Sequence, residues 1–194
     1  MSEAIFRSVS QALHVAFLMA SLPVTQKGNT QALLERLMQD AGVRQEVLRD
    51  GTLNFRGLSP MEVRGQCAMV RGAVIHHCGE MERHAIHAWF AHDESKAAGV
   101  HALRDYLGDR LTIESRDART LVVWSVHAQG RARDMCTERA IAAEHQLSQS
   151  TVHRNVQVVK KIAGALRRRG MDRLEAMFER DGLVGAEEEL ASEH

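Results

Sequence analysis

A mostly α-helical fold, a bundle of helices with little or no sheet, is what this 194-residue sequence predicts, on three observations. Apolar residues recur at steps of three and four through most of the chain, the spacing of one helix face. Two prolines, five Phe, two Trp and one Tyr are too few turn formers and aromatics for a many-stranded β sandwich. An apolar share of 44% beside 26% charged residues belongs to an ordinary globular chain, neither disordered nor collagen-like. At this length one domain or two small ones are expected.

Residues 4 to 21 place Ile5, Val9, Ala12, Leu13, Ala16 and Ala20 on one helix face, and Pro23 helps to end that helix. After a polar loop from Thr25 to Asn29, residues 30 to 41 repeat the pattern with Leu33, Leu34, Leu37 and Met38 before Gly42. At Ser59 the signals concentrate. A serine cap, Pro60 at the first helical position and Glu62 three residues after the serine make a capping box. The helix they start runs through Val63, Met69, Val70, Ala73 and Val74 to about Cys78, where Gly79 supplies a left-handed stop. Further helices are expected over 80 to 92, with Ile86, Trp89 and Phe90 apolar, and over 95 to 107, with Val100, Leu103 and Leu107 on one face beside Tyr106. One from about 117 to 129 is apolar nearly all round and should be the most buried.

Residues 140 to 156, Ala140 through Val156, are the most specific stretch. They divide into a short helix ending near His145, a tight turn over Gln146 and Leu147, and a second helix capped by Ser148. Ala142 is small where two helices would cross, Ile141 and Leu147 fill the wedge between them, and Val152 and Val156 turn inward. The serine cap contributes about 1 kcal/mol relative to alanine. At about 100° per residue with Gln149 as zero, His153, Gln157, Ser150 and Arg154 fall at about 40°, 80°, 100° and 140°, and Val152, Val156, Val159 and Ala163 at about 280° to 340°. Lys160, Lys161, Arg167 and Arg168 extend the polar arc.

Charge divides the chain in a second way. Lys and Arg total 25 and Asp and Glu total 25, a net charge of zero. Residues 131 to 173 hold ten basic against four acidic side chains, +6, whereas residues 174 to 194 hold one against seven, −6. A basic block of this kind points to nucleic acid as partner. The terminal acidic run, Glu187 to Glu189 within residues 181 to 194, is expected to be a disordered solubilising tail.

The run from Leu147 to Arg154 resembles the turn and recognition-helix start of bacterial and phage helix-turn-helix transcription regulators. Two positions depart from the family pattern: Gln146 stands where glycine is usual, and His145 where an apolar residue is usual. The resemblance implies a helical body over residues 1 to 110 and a helix-turn-helix unit over 111 to 180. It implies that Gln149, Ser150, His153 and Arg154 reach base edges of double-stranded DNA, where Arg pairs with guanine and Gln with adenine. Ser148, Thr151, Lys160, Lys161, Arg167, Arg168 and Arg169 would meet phosphates. The phrase from Leu58 to Val74, together with the helical body, also resembles phage Q-type late-gene antitermination proteins, which implies RNA polymerase as a further partner.

Other readings share the same features. A repressor or activator would bind a palindromic site as a dimer, a sigma-like factor would recognise a promoter, and a packaging or replication-origin protein would use the unit within a homo-oligomer. An alternative of another class is a metal-dependent helical enzyme built on Glu80, His84 and His87, which share one helix face near His76, His77, Cys78 and His92. The paired short ligand spacings of a structural zinc site are missing, as are HExxH, Walker, GxGxxG and GxSxG motifs. No catalytic residue, metal or cofactor is therefore assigned, and the expectation is a binding protein, not an enzyme. Cys67, Cys78 and Cys136 form no CxxC pair and suit a reducing compartment. The most apolar N-terminal stretch, residues 12 to 22, is too short for a membrane span of about 20 residues, and no export signal is evident, so a cytoplasmic location is expected.

Overall fold

The computed structural model describes residues 4–21, 55, 58–129 and 131–185, and these are mostly α-helical. In chain order the helices are α1 (Val9–Ala20), α2 (Pro60–His77), α3 (Glu80–Phe90), α4 (Glu94–Leu107), a 3₁₀ turn (Gly108–Arg110), α5 (Arg116–His127), α6 (Arg131–Met135), α7 (Glu138–Glu144) and α8 (Gln149–Arg180). The helix expected over 30 to 41 lies outside the described residues. Among the described residues, no helix is long and apolar enough to cross a membrane.

The chain divides into two compact units, Met1–Cys78 with Gly170–His194, and Gly79–Arg169. The expected boundary near residue 110 falls within the second of these units. The first part of α8 belongs to one unit and its last turns to the other.

In the first unit α1 packs on α2. The helix expected from residue 4 begins only at Val9, because Ser8 takes an extended conformation and its hydroxyl accepts from the Gln11 amide at 3.1 Å. Ile5 is thus left outside the helix, and Phe6 pairs with the segment after α8 instead. The Phe6 amide donates to Leu183 O at 2.9 Å, and the Gly185 amide donates to Phe6 O at 3.2 Å. The expected tail therefore does not begin at 181, since Leu183 and Val184 are buried. Gly182, at φ 69°, supplies the left-handed residue that ends α8, and the Leu183 amide donates back to Phe178 O at 2.8 Å. Residues 186–194 lie outside the described residues.

The start of α2 has the expected form: the Glu62 amide donates to the Ser59 hydroxyl at 3.3 Å and the Ser59 amide to the Glu62 carboxylate at 2.7 Å. Its end differs. Cys78 and Gly79 are both extended, and Gly79, at φ −61°, is the cap of α3 instead of a left-handed stop, with its amide donating to Glu82 at 2.9 Å. Met69, expected on the apolar face, is exposed, as are Met61 and Ile75.

In the second unit α3 and α4 pack together, α4 packs on α5, and α5 on α7. One core joins Ala85 and Ala88 of α3, Val100, Leu103 and Leu107 of α4, Ala118, Val122 and Val123 of α5, and Ile141, Ala142, Val152, Val156 and Val159 from α7 and α8. Gly99 sets the closeness of the first pair: a Cβ there would lie 2.6 Å from His84 O and 2.8 Å from Ala88 N. Contrary to expectation α5 is not the most buried helix, since Leu121, Trp124 and Val126 are only partly covered. That place belongs to α1, whose sequence carries no formally charged Asp, Glu, Lys or Arg, whereas α5 opens on Arg116, Asp117 and Arg119, which favour water.

Candidate nucleic-acid interface

Thr137 starts α7, its hydroxyl accepting from the Ala140 amide at 3.2 Å. The helix stops after Glu144 because Gln146 enters the left-handed region at φ 54°, the only non-glycine among the described residues to do so. Around it the chain folds back, the His145 amide donating to Ile141 O at 3.1 Å and the Leu147 amide to Ala142 O at 2.9 Å. This six-to-one closure is the Schellman arrangement that usually takes glycine. A glutamine there costs about 1 to 2 kcal/mol of backbone strain. Leu147 is partly buried against the core that also holds Ile141 and Ala142.

Ser148 begins α8. Its hydroxyl accepts from the Thr151 amide at 3.1 Å and also lies 2.9 Å from the Ser150 hydroxyl and 2.8 Å from that of Thr151. Val152, Val156, Val159 and Ala163 are buried, whereas Gln149, Ser150, His153 and Arg154 are all exposed. The two-faced division of the helical wheel is thus realised in the packing. Lys160, Lys161 and Arg168 are exposed further along the helix.

Several of these side chains have protein partners. The Nδ1 of His153 lies 3.0 Å from the carboxylate of Glu138 on α7. A carboxylate can only accept, so Nδ1 carries the proton. Arg154 Nε donates to Ser150 O at 3.3 Å. Arg167 lies with its guanidinium carbon 3.7 Å from the centre of the Trp89 ring, a cation–π contact, and Arg169 sits 3.9 Å from Glu82. Arg167, partly buried against that ring, is therefore less available to a phosphate than Lys160, Lys161, Arg168 and the exposed Arg169.

Asn155 was not singled out by sequence. It is buried, its Nδ2 donating to Thr151 O at 2.8 Å and to the Thr112 hydroxyl at 2.9 Å, while its Oδ1 accepts from the Thr112 amide at 2.9 Å. It ties the start of α8 to the segment leading into α5. The signal available was its position at about 240° on the wheel, a polar side chain beside the apolar arc.

The alternative face on α3 has a different character. Burial, then His84 and Arg83, push His87 down to about 4 against the opposing pull of Asp93, and burial also lowers His84. Among the described residues no three His, Cys, Asp or Glu side chains converge as a metal ion would need. Cys67, Cys78 and Cys136 are free, and burial pushes the Cys67 thiol up to about 12, far from a reactive thiolate. No protein-family model matches the chain, and no curated protein is detectably similar to it.

Proposed function

We propose that this protein is a sequence-specific DNA-binding transcription regulator of the cytoplasm, in which α7, the turn at Gln146 and the start of α8 act as a helix-turn-helix. The observation that carries this is the joint exposure of Gln149, Ser150, His153 and Arg154 on one side of a helix whose other side is buried. These four lie in the first two turns of α8, where a recognition helix meets base edges in the major groove. Ser148, Thr151, Lys160, Lys161, Arg168 and Arg169 would engage phosphates. The +6 block over residues 131 to 173 provides the attraction that draws a duplex to this surface. Binding, not turnover, is the activity.

Selection of a duplex from a randomised pool, followed by titration of the full chain across salt, tests this. Affinity is expected to fall steeply between about 50 and 200 mM salt, with a logarithmic slope near −0.9 for each phosphate neutralised. Gln149→Ala should lose preference for the selected site over a scrambled duplex, whereas Lys161→Ala should weaken both alike. A flat salt response, or no enrichment of any sequence, would overturn the proposal.

A further inference from the structure

Beside α8 lies a cleft of about 340 Å³, lined by Arg110, Thr112, Thr151, Arg154, Asn155 and Val158. Two guanidinium groups and three polar side chains face it, and no carboxylate is among its lining residues. We propose that this cleft holds one phosphate group of the DNA backbone, clamped between Arg110 and Arg154. The inference rests on the DNA-binding function proposed above and adds to it a contact from outside the helix pair.

The chemistry of each wall suits a phosphodiester. Arg110 comes from the 3₁₀ turn after α4. One of its Nη1 hydrogens is spent on Tyr106 O at 2.9 Å, and its guanidinium carbon lies 5.0 Å from the Tyr106 ring centre, which steadies the group. A guanidinium carries five N–H donors, so four remain. Arg154, which also lines the cleft, uses its Nε on Ser150 O, and its two terminal nitrogens remain as donors. The Thr112 hydroxyl accepts from Asn155 Nδ2 at 2.9 Å, so its own hydrogen must point to another acceptor. Asn155 spends its amide on Thr151 and Thr112, which fixes the cleft floor and leaves the donating to the arginines and threonines. Bidentate arginine contact with a phosphate is among the stronger charge-assisted hydrogen bonds.

Position makes the ligand a backbone phosphate. One wall is the first turns of α8, so a group bound there lies at the rim of the groove that Gln149, Ser150 and His153 would enter. Arg154 borders both the cleft and that exposed face, and in the clamp its guanidinium takes the phosphate in place of a base edge, leaving base reading to Gln149, Ser150 and His153. Arg110 and Thr112 precede the helix pair by more than twenty residues, which is why no motif within the pair announces them.

The test is a scan of the selected duplex with a single neutral methylphosphonate at each position, with the full chain, Arg110→Ala, and Arg180→Ala as a control at the far end of α8. In the unaltered protein one position is expected to cost about tenfold in affinity, and in Arg110→Ala that same position should cost nothing further. Arg110→Ala should also reduce the salt slope by about 1 and weaken selected and random duplexes alike. Arg180→Ala should leave the scan unchanged. If the protein binds its duplex but no position is masked by Arg110→Ala, the clamp is wrong and the function proposed above stands. If no duplex is bound, both fail. Arg110-dependent binding of inorganic phosphate without a masked duplex position would make this a free-phosphate site and overturn the assignment to DNA.

Discussion

The carboxylate of Glu138, in the first turn of α7, lies 3.0 Å from Nδ1 of His153 on the exposed face of α8. One acid thus stands within a surface proposed to meet a polyanion, and it holds the imidazole with Nε2 directed away, 3.5 Å from the Gln157 amide nitrogen. Glu138→Gln removes the charge and loosens the ring. Random-duplex affinity is expected to rise about threefold, in line with about 0.5 to 1 kcal/mol for an exposed charge, while preference for the selected site falls. Anisotropy titration with both duplexes at low salt measures the two changes, and their disappearance at high salt identifies them as electrostatic.

The left-handed Gln146 leads to a stability gain. Gln146→Gly relieves the steric cost of φ 54° but enlarges the freedom of the unfolded chain. A net stabilisation of about 0.5 to 1 kcal/mol is expected in urea denaturation, without change in DNA affinity. Destabilisation would mean that the glutamine side chain contributes more than its backbone costs.

Gly99 and Gly72 should respond in opposite directions to the same substitution. Gly99→Ala drives a Cβ into the backbone of α3 and is expected to cost about 1 to 3 kcal/mol. At Gly72, within α2, a Cβ meets nothing within 4 Å, so Gly72→Ala should stabilise by up to about 1 kcal/mol through helix propensity alone. Paired thermal denaturations decide this.

Asn155→Ala removes two hydrogen bonds to Thr112, whose own groups are exposed and can turn to water. A cost of about 1 to 2 kcal/mol is expected, the net worth of two such bonds. Asn155→Asp should do no better, since a carboxylate cannot donate to Thr151 O. Chemical denaturation gives the cost, and amide exchange at Thr112 locates it.

Acid should destabilise the protein through two buried imidazoles. Burial, then Lys96 and Arg167, push His127 down to about 3, and His87 is held near 4. Neither ring nitrogen of His127 has a hydrogen-bond partner among the described residues. An unfolded histidine titrates near 6.5, so between that pH and the folded values the unfolded chain binds more protons. Stability is therefore full above about pH 6.5 and falls as pH drops towards 4, by on the order of 2 to 3 kcal/mol from His127. His127→Phe, which keeps a ring against Trp89, should flatten this part of the pH profile.

Local rules were enough for the start of α2, because Ser59, Pro60 and Glu62 cap a helix through neighbours three residues apart. They were also enough for the two faces of α8, since helical periodicity alone separates Val152, Val156 and Val159 from Gln149, His153 and Arg154. The same rules misread Ile5, Gly79 and Met69. Each had a local pattern compatible with two outcomes, and the choice fell to a cap, to the next helix or to packing. Only the tertiary structure decided that Phe6 pairs with Val184, that Asn155 joins Thr112 across 43 residues, that Arg167 lies on Trp89, and that Arg110 shares a cleft with Arg154. Such contacts join residues remote in sequence, so no short-range period encodes them. They follow from which apolar faces bury one another, and the polar side chains at the edges of those faces pair with whatever the packing brings within reach.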